Sequence, residues 1–237
     1  MRVLVACEES QEVCKAFRAK GHEAYSCDIQ DCSGGHPEWH IKGDVLRILN
    51  PKFHESDLSY GIGFFTCDES FHFVDGRWDL IIAHPPCTFL TVAANKLYDV
   101  KKYGEKATER LRNREKAIEF FMEFVNAKCD KKAIENPIGV ISTRYKKPTQ
   151  IIQPYEHGEP VRKSTCLWLY NLPKIMPTNV INYETIHSKG KSGGYSGNSW
   201  VVKDENGKIL PYSDPRVAKA RSKTFPGIAK AMAEQWG

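Results

Sequence analysis

A single cysteine, Cys87, follows the rigid pair Pro85-Pro86, and farther along the chain stands the acidic run Glu135-Asn136-Pro137. A cysteine fixed by two prolines is a candidate nucleophile, because a thiolate is reactive near neutral pH and leaves readily afterwards. Such a thiolate is suited to add to carbon 6 of a pyrimidine, which makes carbon 5 nucleophilic. A carboxyl group at Glu135 is suited to hydrogen-bond or protonate the ring nitrogen. Each residue also has a plain structural alternative: Cys87 as a buried thiol, Glu135 as a cap for the segment after Pro137.

A second group comprises Cys7-Glu8-Glu9-Ser10, Asp28 and Asp44. Each falls where a strand is expected to end, and open parallel sheets bind ligands outside the carboxyl ends of their strands. An acid after the second strand can accept hydrogen bonds from ribose hydroxyls, and one after the third can hold an adenine amine. Asp28 and Asp44 could instead be turn caps, and Glu8 and Glu9 a solvated helix start. Their joint placement favours an adenosine-type cofactor.

The elements that must position these residues follow from periodicity. Residues 2–6 read as a buried first strand, and Ser10 as the N-cap of a helix with Val13, Ala16 and Phe17 on one face, stopped by Gly21. Strands are expected at 22–29 and 39–45, a weak pattern over 51–76, and a central strand over 78–83. Residues 108–125 predict an amphipathic helix with Leu111, Ile118, Phe121, Met122 and Val125 inward, before a short strand at 132–134 that closes on Glu135-Asn136-Pro137. This alternation predicts an α/β fold with a doubly wound, mostly parallel sheet.

Beyond Gly139 the texture changes. Residues 143–163 are rich in Pro, Lys, Arg and aromatics, 164–172 read as a strand, 189–198 as a Gly/Ser/Lys loop, and 216–236 as a terminal helix broken near Pro226. Residues 138–215 are therefore expected to form a small insertion within a single domain spanning 1–237.

A charge of +5 suits a phosphate-bearing partner without requiring one. The eight cysteines are scattered without a CxxC pair and read as free thiols. Cys27, Cys32, His36 and His40 have a loosely zinc-like spacing, but Cys27 falls in an expected strand and Ser33-Gly34-Gly35 reads as a plain loop, so no metal site is expected. No apolar run reaches the roughly 20 residues of a membrane helix, and no signal-peptide pattern opens the sequence, which predicts a cytoplasmic protein.

Residues Ile82-Ala83-His84-Pro85-Pro86-Cys87-Thr88 resemble the catalytic loop of DNA cytosine-5 methyltransferases, and Glu135-Asn136-Pro137 is similar to their acidic motif. Arg221 to Ala229 resembles the family's last motif. The runs 153–169 and 221–236 look like those of small phage and prophage members with a reduced target-recognition region. The resemblance implies a Rossmann-like S-adenosylmethionine-dependent methyltransferase fold. It implies that Cys87 attacks cytosine in DNA, that Glu135 stabilises the base, and that Lys163 and Thr165 stand at the base in place of the family's absent Gln-x-Arg-x-Arg segment. S-adenosyl-L-methionine would lie on Cys7, Glu8, Glu9, Asp28, Ile29, Asp44, Val45 and Pro85, with Thr224 and Phe225 closing its pocket.

The chain departs from the family in lacking a Phe/Gly-rich loop after the first strand and a full-sized target-recognition region. The small insertion carries Arg144, Lys146, Lys147, Arg162, Lys163, Lys189 and Lys191 among Tyr145, Tyr155 and Trp168. These could contact phosphates and stack on a flipped base, or form a solvated surface, with Trp168 expected in the core. Three alternatives stay open: a nucleotide or single-stranded acceptor, transfer to a base amine, and a silent nucleic-acid-binding protein. His84 and Cys87 on either side of Pro-Pro point away from amine chemistry.

Overall fold

The apolar run after Met1 forms strand β1 (Arg2–Ala6), whose side chains feed both faces of a sheet. Val3 and Val5 enter one buried cluster and Leu4 and Ala6 the other, as the two-residue period of a strand requires. A strand buried on both faces needs a neighbour on each edge and a layer over each side. In the computed structural model, which describes residues 1–54, 59–183, 186–189, 195–198, 201–211 and 213–237, β1 has both.

Helix α1 (Glu12–Ala19) follows, then β2 (Glu23–Asp28), β3 (His40–Lys42) and the short α2 (Leu46–Leu49). Strands β4 (Lys52–His54), β5 (Ser59–Phe65) and β6 (Phe71–Asp75) precede β7 (Leu80–Ala83). Helices α3 (Val100–Tyr103) and α4 (Glu105–Asn126) lead to β8 (Lys131–Pro137), α5 (Ile141–Arg144), β9 (Gln150–Ile152) and β10 (Thr165–Tyr170). β11 (Ile186–Lys189) and β12 (Tyr195–Asn198) pair as an antiparallel hairpin, and α6 (Pro215–Ser222) and α7 (Pro226–Trp236) complete the order.

The central sheet has seven strands in the order β3-β2-β1-β7-β8-β10-β9. Its first five are mutually parallel, and β10 runs antiparallel to both β8 and β9. The expected α/β architecture with a mostly parallel sheet is therefore present and is compatible with a Rossmann-like winding. The chain winds outward from β1 to β3 and then crosses to β7 on the other side of β1. The reversal leaves a crevice between the carboxyl ends of β1 and β7, the topological switch point.

Helices α1 and α7 cover the Val3/Val5 face through Val13, Phe17, Met232 and Trp236. On the other face Phe121 and Phe124 of α4 pack in one cluster with Leu4, Ile81 and Trp168. The side sheet β4-β5-β6 joins the same cluster through Ile62, Phe64 and Val74, with Trp78 stacked on Phe64 at 5.7 Å.

Several expectations are corrected. Gln11, in the left-handed region at φ 59°, precedes α1 instead of Ser10, and the backbone N–H groups of Val13 and Cys14 are taken by Glu8 at 2.7 and 3.2 Å. Leu111 is 37% exposed and Phe124 is buried in its stead. The buried stripe of α4 runs through Ala107, Phe121 and Phe124, which leaves Leu111 on its flank. The short strand expected at 132–134 is longer, since β8 runs on through Glu135-Asn136-Pro137. Residues 51–76, where the pattern reads as weak, supply the side sheet; Gly61 and Gly63 blunt its apolar alternation.

The region 138–215 is not wholly an insertion, because β9 and β10 complete the central sheet by backbone pairing. Within the expected loop 189–198, residues 190–194, and Lys191 with them, lie outside the described residues, and their flanks form the β11–β12 pair. Among the described residues no helix is long and apolar enough to cross a membrane.

Candidate active site at the carboxyl edge of the sheet

β7 is apolar at every position and buried throughout, so its first polar residues emerge at the edge of the sheet. The His84 backbone N–H donates to the Ala6 carbonyl at 2.9 Å, which extends the β1–β7 ladder by one residue. Pro85 and Pro86 lack N–H groups and end the strand there. The Cys87 carbonyl then accepts from the N–H groups of Leu90 and Thr91 at 2.9 and 3.1 Å, which folds the chain back as a turn and leaves Cys87 exposed at the crevice.

β8 lies beside β7 and brings Glu135 and Asn136 to the same edge. Asn136, 1% exposed, donates from Nδ2 to the Pro85 carbonyl at 2.8 Å and thereby ties the proline turn to β8. The neighbouring Glu135 stands 3.4 Å from His84 Nδ1 through Oε2. Because β10 runs antiparallel to β8, its first residue Thr165 pairs with Pro137 and Lys163 reaches the same edge from the opposite direction. Lys163 Nζ donates to the Arg221 carbonyl at 2.8 Å and lies 5.6 Å from the centre of the Phe225 ring, which links the site to the last turn of α6 and the residue before α7.

Four charged or ionisable groups act on one another here. The limited hydration of the crevice raises the pKa of the Cys87 thiol, the Glu135 carboxylate raises it further, and Lys163 and Arg221 lower it. Burial pulls the Lys163 ammonium below its ordinary value, Glu135 opposes that shift, and Arg221 adds to it. Cys87, Glu135 and Lys163 thus share one electrostatic neighbourhood. Thr165 is at the same edge but buried, its hydroxyl donating to the Lys163 carbonyl at 3.3 Å.

The residues expected to hold a cofactor divide into two sets. Cys7, Asp28 and Asp44 come together at the ends of β1, β2 and β3: burial raises the Cys7 thiol pKa, and the charges of Asp28 and Asp44 add to the rise. Asp28 Oδ1 accepts from the Gln30 N–H at 2.9 Å and Asp44 Oδ1 from the Leu46 N–H at 3.0 Å, so each also shapes the turn it stands in. Ile29 projects beside them, 76% exposed. Thr224 and Phe225 are half-buried before α7, and Pro85 is buried in the turn.

The second set is committed to the protein interior. Glu8 is buried and spends both carboxylate oxygens on α1, and Glu9 accepts from the Ser33 hydroxyl. Val45 points into the core. These three side chains are taken up by packing or internal hydrogen bonds, which corrects their expected place on the cofactor surface. For Glu8 the reason is local, since a helix start needs acceptors, and Val45 stands at the N-cap of α2 on the core side.

Among the basic and aromatic residues of 138–215, Arg144 forms a two-pronged pair with Glu115 at 2.8 and 2.5 Å. Tyr145 and Tyr170 share a hydroxyl contact at 2.9 Å, Tyr155 stacks on Tyr183 at 4.8 Å, and Trp168 is buried as expected. The residues of loosely zinc-like spacing have other partners: His40 uses Nδ1 toward Ser26 and Nε2 toward the Gln30 carbonyl, and burial pushes the Cys27 thiol up to about 12. Among the described residues no group of three or more His, Cys, Asp or Glu is arranged to hold a metal ion.

His84, Asn136 and Arg221 belong to the edge although periodicity alone did not assign them a role. A histidine placed directly before Pro-Pro was the available signal, since a strand end followed by proline has a fixed direction. Comparison of the sequence with protein-family models finds no match, and comparison with curated proteins finds none either.

Proposed function

We propose that this chain is an S-adenosylmethionine-dependent methyltransferase, of the doubly wound fold of that class, that methylates carbon 5 of cytosine in DNA through Cys87. The observation that carries the proposal is the convergence of Cys87, Glu135 and Lys163 beside the switch point, each shifting the proton affinity of another. A cytoplasmic location would bring such an enzyme together with DNA and a small diffusible cofactor.

The residues fit the adenosine end of the cofactor. Asp28 and Asp44 are acceptors at adjacent strand ends with Ile29 as an apolar neighbour, matching ribose hydroxyls, an adenine amine and a ring face. Phe225 and Thr224 border the same edge. When bound, S-adenosylmethionine supplies an electrophilic methyl group.

Cys87 Sγ forms a bond to carbon 6 of the cytosine while Glu135 holds a proton at the ring nitrogen, and electron density moves to carbon 5. Once carbon 5 carries the methyl group, loss of its proton to water would drive cleavage of the sulfur–carbon bond, and the electron pair of that bond would return to Cys87 as the thiolate. Lys163 offsets the negative charge of Glu135 near the thiolate. Asn136 fixes the turn that carries the nucleophile.

Mass spectrometry of nucleosides, digested from DNA incubated with S-adenosylmethionine and either the intact protein or Cys87→Ser, tests this reading. A 5-methylcytosine signal that disappears in the variant is expected. Absence of any modified base from duplex, single-stranded and nucleotide substrates would overturn it.

A further inference from the structure

The side sheet β4-β5-β6 buries one face and leaves the other open. Ile62, Phe64 and Val74 point toward Trp78 and Tyr25, so the alternate residues Phe65, Phe71 and Phe73 must face away. These three rings are 63, 60 and 39% exposed. Phe65 and Phe71 pair across the strands with ring centres 5.2 Å apart, and His54 meets the edge of Phe73 at 5.7 Å.

Glycine lets the rings lie down on the sheet. A Cβ on Gly61 would meet the Phe73 ring at 2.5 Å, and one on Gly63 would meet the Phe71 ring at 3.3 Å. The result is an exposed aromatic strip across two strands, with Phe65 and Phe71 tilted by 57° to one another. Where β5 meets α2 and the segment leaving β3, a cavity of about 410 Å³ opens at the rim of the sheet, walled by Ile62 and Phe64 of the covered face as well as by Phe65. Lys42, Arg47, Lys52 and His54 stand around it. Asp44 is the acid on that wall, and its carboxylate accepts from the Leu46 N–H; Lys42 is paired with Asp31 at 2.7 Å.

We infer that this face binds a segment of single-stranded nucleic acid, with bases stacked on Phe65, Phe71 and Phe73 and phosphates drawn to Arg47, Lys52 and Lys42. Exposed rings on the sheet face, with Lys52 beside them and Arg47 and Lys42 across the cavity at its rim, provide both terms of such binding: sequence-tolerant stacking and neutralisation of the backbone; Asp75 is the acid on the same face. A second copy of the chain would set these cations against each other, and an apolar protein partner would leave them unused. The location suits the substrate class. Lys42-Gly43-Asp44 leave β3 at the edge that carries Cys87, three strand spacings, about 14 Å, from β7. The inference deepens the proposed function and rests on it for the identity of the strand as DNA; the binding itself does not depend on methyl transfer.

Fluorescence anisotropy of a labelled oligothymidylate, titrated with the full chain without cofactor over a range of salt concentrations, tests it. Phe65→Ala/Phe71→Ala should weaken binding roughly fivefold or more while the melting temperature holds, since both rings are exposed. Arg47→Glu/Lys52→Glu should weaken it and flatten the slope of log affinity against log salt by about 1 to 2. Unchanged affinity in both variants overturns the inference. So does a wild-type dimer, detected by sedimentation, that the ring variant dissociates with oligothymidylate affinity intact. Ring-dependent binding in a protein that makes no 5-methylcytosine would instead support this surface and sink the catalytic reading.

Discussion

Asn136 holds Pro85: its Nδ2 donates to the proline carbonyl at 2.8 Å from a side chain only 1% exposed. The bond crosses from β8 to the turn after β7 and sets where the next two residues can go. Glu135 and Cys87 are consequently oriented by one strand-to-strand contact.

Removing that contact should therefore affect rate more than cofactor binding. Asn136→Ala leaves a buried carbonyl unsatisfied, at a cost of about 1–3 kcal/mol. If the loss falls on the positioning of Cys87, methyl transfer should slow by about 5- to 150-fold. Steady-state kinetics should show the change in kcat, with S-adenosylmethionine affinity by calorimetry nearly unaltered.

The proton affinity of Cys87 offers a test independent of any substrate. Reduced hydration and Glu135 raise its pKa, and Lys163 lowers it. Glu135→Gln removes a negative neighbour and should move the pH midpoint of Cys87 alkylation downward. Lys163→Met should move it upward. Mass spectrometry of the alkylated peptide over a pH series measures both, and a midpoint unmoved in either variant would separate these residues electrostatically from the thiol.

Glu8 links the first helix to pH. Burial raises its carboxyl pKa, while His84 and the N–H groups of Val13 and Cys14 pull it down. The folded chain thus keeps this proton to higher pH than the unfolded chain does. The contribution of Glu8 to stability then falls as pH rises from the ordinary carboxylate value through the raised one. In Glu8→Gln this decline should be absent from denaturation midpoints taken between about pH 4 and about pH 7. Glu8→Ala, which loses both acceptors, should cost about 1 kcal/mol at the acid end of that range and less toward its upper end.

Trp78 joins the side sheet to the main body. Its indole N–H donates to the Ile48 carbonyl at 2.8 Å, and its ring stacks on Phe64. Trp78→Ala should destabilise the chain by about 3–5 kcal/mol. Hydrogen exchange should show β5 and β6 losing protection before β1 and β7, because the latter lie in the middle of the larger sheet.

The sequence by itself determined which segments could be buried and in what order strands and helices alternate. Apolar runs such as 80–83 have no other stable environment, so β1, β7 and the helix that became α4 were legible in outline. It also made Cys87 and Glu135 conspicuous, since proline neighbours fix a backbone locally. Pairing between distant segments was not legible, because backbone hydrogen bonds carry little side-chain signature. Only the tertiary structure could decide that β10 enters the central sheet against β8 and brings Lys163 to Cys87. Packing likewise turned Glu8, Glu9 and Val45 inward. The side sheet escaped notice for a related reason: Gly61 and Gly63 interrupt the apolar alternation, and their purpose, to let neighbouring rings lie over them, exists only once the strands are paired.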